Sequence, residues 1–210
     1  MKKQFGFGRF ALAATCAALV SGALTACVPL VIGGTAAGTA LVATDRRTSG
    51  AQLEDEGIEL RAASRIRSTV GTRVRVSVTS YNRQVLLTGE VPNQQDKQAI
   101  EQIVSRVENV GSVVNELAVL STPSLVERSG DLLITGRVKA AILDAKDLQT
   151  NAFKVVTEHG TTYLMGRVTQ READRATELA RGIPGVQKVV RILEIISEDE
   201  LRRLAPARAQ

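Results

Sequence analysis

The feature that most constrains this chain is an internal repeat. Val85-Leu-Leu-Thr-Gly89-Glu-Val91 lines up with Thr162-Tyr-Leu-Met-Gly166-Arg-Val168 at an offset of 77 residues. Val110-Gly-Ser-Val113-Val114-Asn-Glu-Leu117 lines up with Val186-Gln-Lys-Val189-Val190-Arg-Ile-Leu193 at an offset of 76. Upstream, Asp55, Ile58, Arg61 and Ile66 match Asp131, Ile134, Arg137 and Ile142, again at 76. A fold built by duplication must make one small unit twice. The spacing places one copy at 51–120 and the other at 131–198, joined by a polar connector at 121–130 that contains Pro123 and followed by a charged tail at 199–210.

Each copy carries the same succession of periods. A helix comes first, with Ile58, Ala62 and Ile66 in one copy and Ile134, Val138 and Ile142 in the other at helical spacing. Two alternating runs follow. Val74, Val76 and Val78 face Val85, Leu87 and Val91 across the turn Tyr81-Asn82-Arg83; Phe153 and Val155 face Thr162, Leu164 and Val168 across Glu158-His159-Gly160. Gly89 and Gly166 interrupt the second run, where glycine marks a bulge or the close approach of another backbone, and Gly160 serves the turn. A second helix then starts, in copy two behind the capping box Thr169-Gln-Arg-Glu172. A β-rich run closes each copy, at Val110–Leu120 and Val186–Ile196. The prediction is an α+β fold, α-β-β-α-β twice over, with both helices on one face of a small mixed sheet. A unit of about 65 residues buries only about 60% of its unfolded surface, so the two copies are expected to pack together.

The N-terminus reads as an address. Residues 1–9 are basic, and 10–26 form an uncharged run rich in alanine, leucine and small residues, the pattern of a secretory signal peptide. It ends at Leu24-Thr25-Ala26-Cys27, which resembles the lipobox of bacterial lipoproteins; cleavage at 26 would leave Cys27 to carry diacylglycerol on its sulfur and an acyl chain on its new amino group. The absence of charge continues to Thr44, long enough to raise a membrane-spanning alternative, but Pro29 and Gly33, Gly34 and Gly38 dilute it, and 28–50 reads as a flexible tether. The Gly34-Thr-Ala-Ala-Gly38 spacing of a helix-dimer motif is what any small-residue linker produces.

Composition narrows the function. Lys2, Lys3 and Arg9 supply three of the five net positive charges, so removal of the leader leaves +2, too little for general phosphate binding. With no tryptophan and six aromatic residues in all, there is no base-stacking platform, and nucleic acid is not an expected partner. Both cysteines lie near the N-terminus, which excludes a disulfide framework. The single histidine, His159, is placed in a solvated hairpin turn, and carboxylate pairs lack a base, nucleophile or phosphate loop beside them. No cofactor or metal is expected, and an enzyme is not.

The run strand-Gly-x-Val, helix, then Gly185-Val186-x-x-Val189-x-x-x-Leu193 resembles the BON domain. Two such units behind a lipobox, with a small-residue tether ending in Asp45-Arg46-Arg47, are similar to the dual BON-domain outer-membrane lipoproteins of the DolP type. Copy one departs where Asn109-Val110 stands for Gly-Val. The resemblance implies a lipid-anchored protein on the periplasmic face of the outer membrane, binding anionic phospholipid through the first helix of the second unit and supporting membrane integrity. It also leaves open a scaffold that grips a protein partner, such as the outer-membrane assembly machinery. Oligomeric state is not encoded in any of these signals.

The residues themselves favour the same helix. Gly130–Leu143 holds Asp131 against Arg137 and Lys139, net +1, whereas Leu53–Arg67 holds four acids against three arginines, net −1. A base near an anionic leaflet contributes about 1 kcal/mol, so only the second helix gains. With Ile134, Val138 and Ile142 turned to the core, Leu132, Leu133, Gly136, Ala140 and Leu143 are left over, flanked by Arg137 and Lys139. They either insert at the headgroup boundary or pack against the first unit.

Overall fold

The computed structural model describes residues 45–120 and 125–204, the side chains of 125–128 excepted. The leader, Cys27, the Gly34–Gly38 spacing and most of the tether lie outside the described residues. No described helix is long and apolar enough to cross a membrane.

Copy one runs α1 (Ser49–Val70), β1 (Arg75–Tyr81), β2 (Gln84–Val91), α2 (Gln94–Ser105), β3 (Ser112–Asn115) and β4 (Ala118–Val119). Copy two runs α3 (Leu125–Asp144), a short 3-10 turn (Thr150–Ala152), β5 (Phe153–Glu158), β6 (Thr161–Thr169), α4 (Gln170–Arg181) and β7 (Lys188–Ile196), followed by α5 (Glu198–Leu204). The architecture is α+β, the same helix-hairpin-helix-strand unit made twice. In each sheet the hairpin is antiparallel and the closing strand lies parallel to the hairpin's second strand.

Periodicity decides the layers. Ile58, Ala62 and Ile66 of α1 and Ile100 and Val104 of α2 enclose one face of the first sheet with Val85, Leu87 and Val91. Val138 and Ile142 of α3 and Ala173, Ala176 and Ala180 of α4 do the same for Val155, Leu164 and Val168. The intervening strand residues point the other way, as strand alternation requires. There Tyr81 and Leu86 of copy one meet Tyr163, Met165 and Ile192 of copy two in a third buried cluster. The two sheets therefore pack back to back between outer helices.

The matched aspartates have a common task. Asn82 and Arg83, and likewise His159 and Gly160, hold positive φ angles of 49, 68, 50 and 68°, the geometry of a two-residue hairpin turn that follows the strand twist. Asp55 accepts from the Asn82 and Arg83 amides at 2.7 and 2.8 Å, and Asp131 from those of His159 and Gly160 at 2.8 and 2.9 Å. Helix one thus fastens the hairpin in each copy. At Gly89 and Gly166 a Cβ would come within 2.1 Å of the Arg75 carbonyl oxygen and 2.4 Å of that of Ala152, so the neighbouring backbone fills the space a side chain needs. At Gly160 it would meet the Gln187 side chain at 3.0 Å.

Two expected boundaries shift. The closing run of copy one is split between β3 and β4, where Leu117 turns into the helix-covered core and the Asn115 side-chain oxygen accepts from the Leu117 amide at 3.3 Å. Helix α3 begins at Leu125, inside the stretch read as connector, because no glycine or proline follows Pro123 until Gly130.

Candidate membrane-facing site and the domain junction

Every residue assigned to the membrane face is exposed along α3. Leu132, Leu133 and Leu143 are 74%, 63% and 68% accessible, and Gly136, Arg137, Lys139 and Ala140 share the same solvent side. At about 100° per residue the seven occupy one arc of about 160°, with Lys139 on one margin, Arg137 on the other and the apolar residues between them; exposed Ser129 and Asp144 fall on the same arc, Asp144 next to Arg137. Ile134, Val138 and Ile142 occupy the opposite side against the core. Among the described residues neither Arg137 nor Lys139 has a hydrogen-bond or ion-pair partner.

Helix α1 is built otherwise at the corresponding positions. Its Glu56, Gly57, Leu60, Arg61 and Arg67 stand where α3 has Leu132, Leu133, Gly136, Arg137 and Leu143. Arg61 is occupied, bonding Glu54 at 2.5 Å. The Lys154 ammonium donates to Glu59 at 2.7 Å. Leu53 and Leu60 are exposed on this helix, with Arg67 two turns along the same face and Glu56 and Gly57 in place of the paired leucines of α3.

The surface that joins the copies lies elsewhere. It is made by the sheet backs and by a polar ring around them, so the α3 leucines are not the inter-domain face. His159 corrects the reading of a solvated turn: its Nε2 lies 2.7 Å from Glu90 Oε1 in the other copy. The reason is tertiary, since the copy-two hairpin tip lands on the back of the first sheet. Arg75 bonds both Glu90 and Glu158, across the junction. Burial alone would push the Glu90 carboxyl up, but the hydrogen bonds and charges of Arg75 and His159 outweigh it and hold the group below the usual carboxylate range. In the mirrored position the copy-one turn residue Asn82 donates to Glu194 of β7 at 2.7 Å. Glu90, Glu158 and His159 bring three ligand-type atoms within 4.8 Å, but the Arg75 guanidinium already satisfies both carboxylates in that space.

The end of the tether is the larger surprise. Arg46 and Glu172 form a bidentate pair at 2.7 and 2.7 Å, both side chains almost fully buried, and Arg46 also donates to the Arg167 carbonyl at 3.0 Å. Burial pushes the Glu172 carboxyl up, yet the bonds from Arg46 and the Thr169 amide, with the Arg46 charge, bring it net below its ordinary value. The neighbouring Arg47 turns the other way, donating to Asp55 at 2.8 Å and lying 4.3 Å above the Tyr81 ring. Consecutive arginines therefore grip copy two and copy one. The expectation of a flexible tether through residue 50 fails at its last residues. The visible signal was a charged triplet, Asp45-Arg46-Arg47, ending a long uncharged stretch.

The BON domain family profile matches residues 55–121 and 130–196. The chain is 37% identical over 82% of its length to 90% of the outer membrane lipoprotein DolP of Haemophilus influenzae. It is 29% identical over 72% of its length to 79% of the 21 kDa hemolysin of Actinobacillus pleuropneumoniae. Against the osmotically-inducible protein Y of Escherichia coli it is 31% identical over 54% of this chain and 58% of that one. Two BON copies and this likeness to DolP over most of both chains decide the assignment: the protein belongs to the BON-domain family, as a dual-BON outer-membrane lipoprotein of the DolP type.

Proposed function

We propose that the protein is a non-catalytic, lipid-anchored module that binds anionic phospholipid through α3 and so supports outer-membrane integrity. One observation carries this reading: Leu132, Leu133, Gly136, Ala140 and Leu143 lie in solvent on one arc of α3, with Ser129 and Asp144 as its polar members, and the two bases at its margins have no partner among the described residues. Leucines entering the headgroup boundary give the hydrophobic part, and each base adds about 1 kcal/mol against an anionic leaflet. Acyl chains on Cys27 provide the standing attachment, each buried methylene contributing about 0.8 kcal/mol, so α3 need only be a weak contact repeated at high local concentration. The first copy, with its acidic α1 and occupied Arg61, supplies the scaffold.

The test uses residues 39–210, the compact unit that holds every described residue. It should sediment with phosphatidylglycerol vesicles and stay in solution with phosphatidylcholine ones. Leu133→Asp with Arg137→Asp should abolish sedimentation while leaving the urea unfolding midpoint unchanged, because both side chains are exposed. Undiminished binding by the double variant would mean that another surface meets the lipid.

A further inference from the structure

The two copies differ in what stands beside the hairpin tip. In copy one, Arg83 Nε donates to the Asn109 carbonyl at 2.6 Å and Glu54 bonds Arg61 at 2.5 Å. The Asn109 side chain, Arg61 and the Arg83 charge hold the Glu54 carboxyl below its ordinary value, so these groups share one place. The matching positions to Glu54, Arg83 and Asn109 in copy two are Gly130, Gly160 and Gly185. A pocket of about 330 Å3 opens there, lined also by Asp131, Ile134 and Gln187. Backbone conformation does not demand these glycines. Gly160 and Gly185 hold φ angles of 68 and 99°, and copy one holds 68 and 66° with Arg83 and Asn109.

The pocket is left with acceptors. Beyond its two turn amides, Asp55 takes the Ser80 hydroxyl at 2.7 Å and Arg47 at 2.8 Å; Asp131, also buried, takes only its two amides among the described residues. A carboxylate offers about four acceptor sites, so about half of its capacity is unused. The Gly185 carbonyl, counterpart of the one Arg83 caps, has no donor among the described residues. Arg137 cannot follow the path of Arg61. Arg61 lies across Gly57, where a Cβ would come within 2.8 Å of its Nη1, and copy two has Leu133 at that position.

We propose that this pocket receives an arginine side chain of a partner protein, its guanidinium donating to the Asp131 carboxylate and the Gly185 carbonyl. The incoming group replaces the Arg83 that copy one supplies from its own chain. A planar fork of donors suits a carboxylate beside a carbonyl better than the point charge of an ammonium does. The site shares no residue with the exposed arc of α3, so it stands or falls apart from the lipid reading.

The probe is arginine blocked at both ends, titrated into isotope-labelled 39–210 and followed by amide NMR shifts. Saturable shifts confined to 130–134, 159–160 and 185–187 are expected, with a Kd on the order of 1 mM. Blocked citrulline, of the same shape without the charge, should bind about tenfold more weakly, and blocked lysine should also bind more weakly. Gly160→Arg restores the filling of copy one and should remove the shifts. Gly185→Asn, again the copy-one residue, should do the same, and the urea midpoint reports whether each variant folds. The proposal is overturned if these amides do not move at about 10 mM arginine, if citrulline or lysine binds as well, or if the shifts survive in either folded variant. Equal binding by phosphoethanolamine would give the pocket to a lipid headgroup and overturn it too.

Discussion

Replacing Arg46 by methionine keeps most of the side-chain stem and removes the charge, which isolates the ion pair from its packing. The loss leaves Glu172 buried with only the Thr169 amide, which donates to Oε2 at 3.0 Å, and leaves the Arg167 carbonyl without its donor. Removing one member of a buried pair costs about 3–5 kcal/mol, because the other remains as an uncompensated charge. Adding Glu172→Gln removes that charge, so the double variant should recover a good part of the loss, and the cycle should return a coupling of about 2 kcal/mol or more. The pH dependence follows from the direction of the Glu172 shift. A carboxyl held below its unfolded value contributes stability that is fully present above about pH 4.5 and disappears as the pH falls through the folded value. The gap between wild type and Arg46→Met should therefore be widest near pH 7 and narrow below about pH 4. Urea unfolding at several pH values measures both. A cost below about 1 kcal/mol, or a gap that does not change with pH, would refute the reasoning.

Two further outcomes follow from the junction and the turns. His159→Ala removes a hydrogen bond to a Glu90 that keeps Arg75, and should cost about 1 kcal/mol in urea unfolding; an unchanged midpoint would mean the bond contributes nothing. Gly89→Ala forces a Cβ against the Arg75 carbonyl and should cost about 3 kcal/mol or more, whereas Gly136→Ala, with open space around it in a helix, should stabilise by about 0.5–1 kcal/mol. Equal effects at the two glycines would contradict the packing described.

The fold was legible because both periods repeat in register. The helical triplets at Ile58 and Ile134 and the alternating valines specify which face each element buries, and duplication removes the ambiguity that either copy alone would leave. The exposed face of α3 was legible for the same reason: once Ile134, Val138 and Ile142 are assigned inward, the remaining leucines have one side left. The domain junction was not. Tyr163, Met165 and Leu86 lie on the alternate strand positions that a single-copy reading gives to solvent, and only the second sheet covers them. Asp55 and Asp131 were matched by offset, but their role as anchors of a turn 25 or more residues away depends on a bend no local pattern records. Arg46 lies 126 residues from its partner, and a lone basic pair after an uncharged run says nothing of where its counter-charge sits.

The placement of Asp45–Arg47 has a mechanical consequence. A pull on the membrane end of the polypeptide reaches the globular body at a point already fastened to both halves. The force is shared across the seam, in parallel, instead of peeling the nearer half from the farther one. A fragment that starts beyond residue 47 lacks that rivet and should be easier to pry apart than its sheet-to-sheet contact suggests.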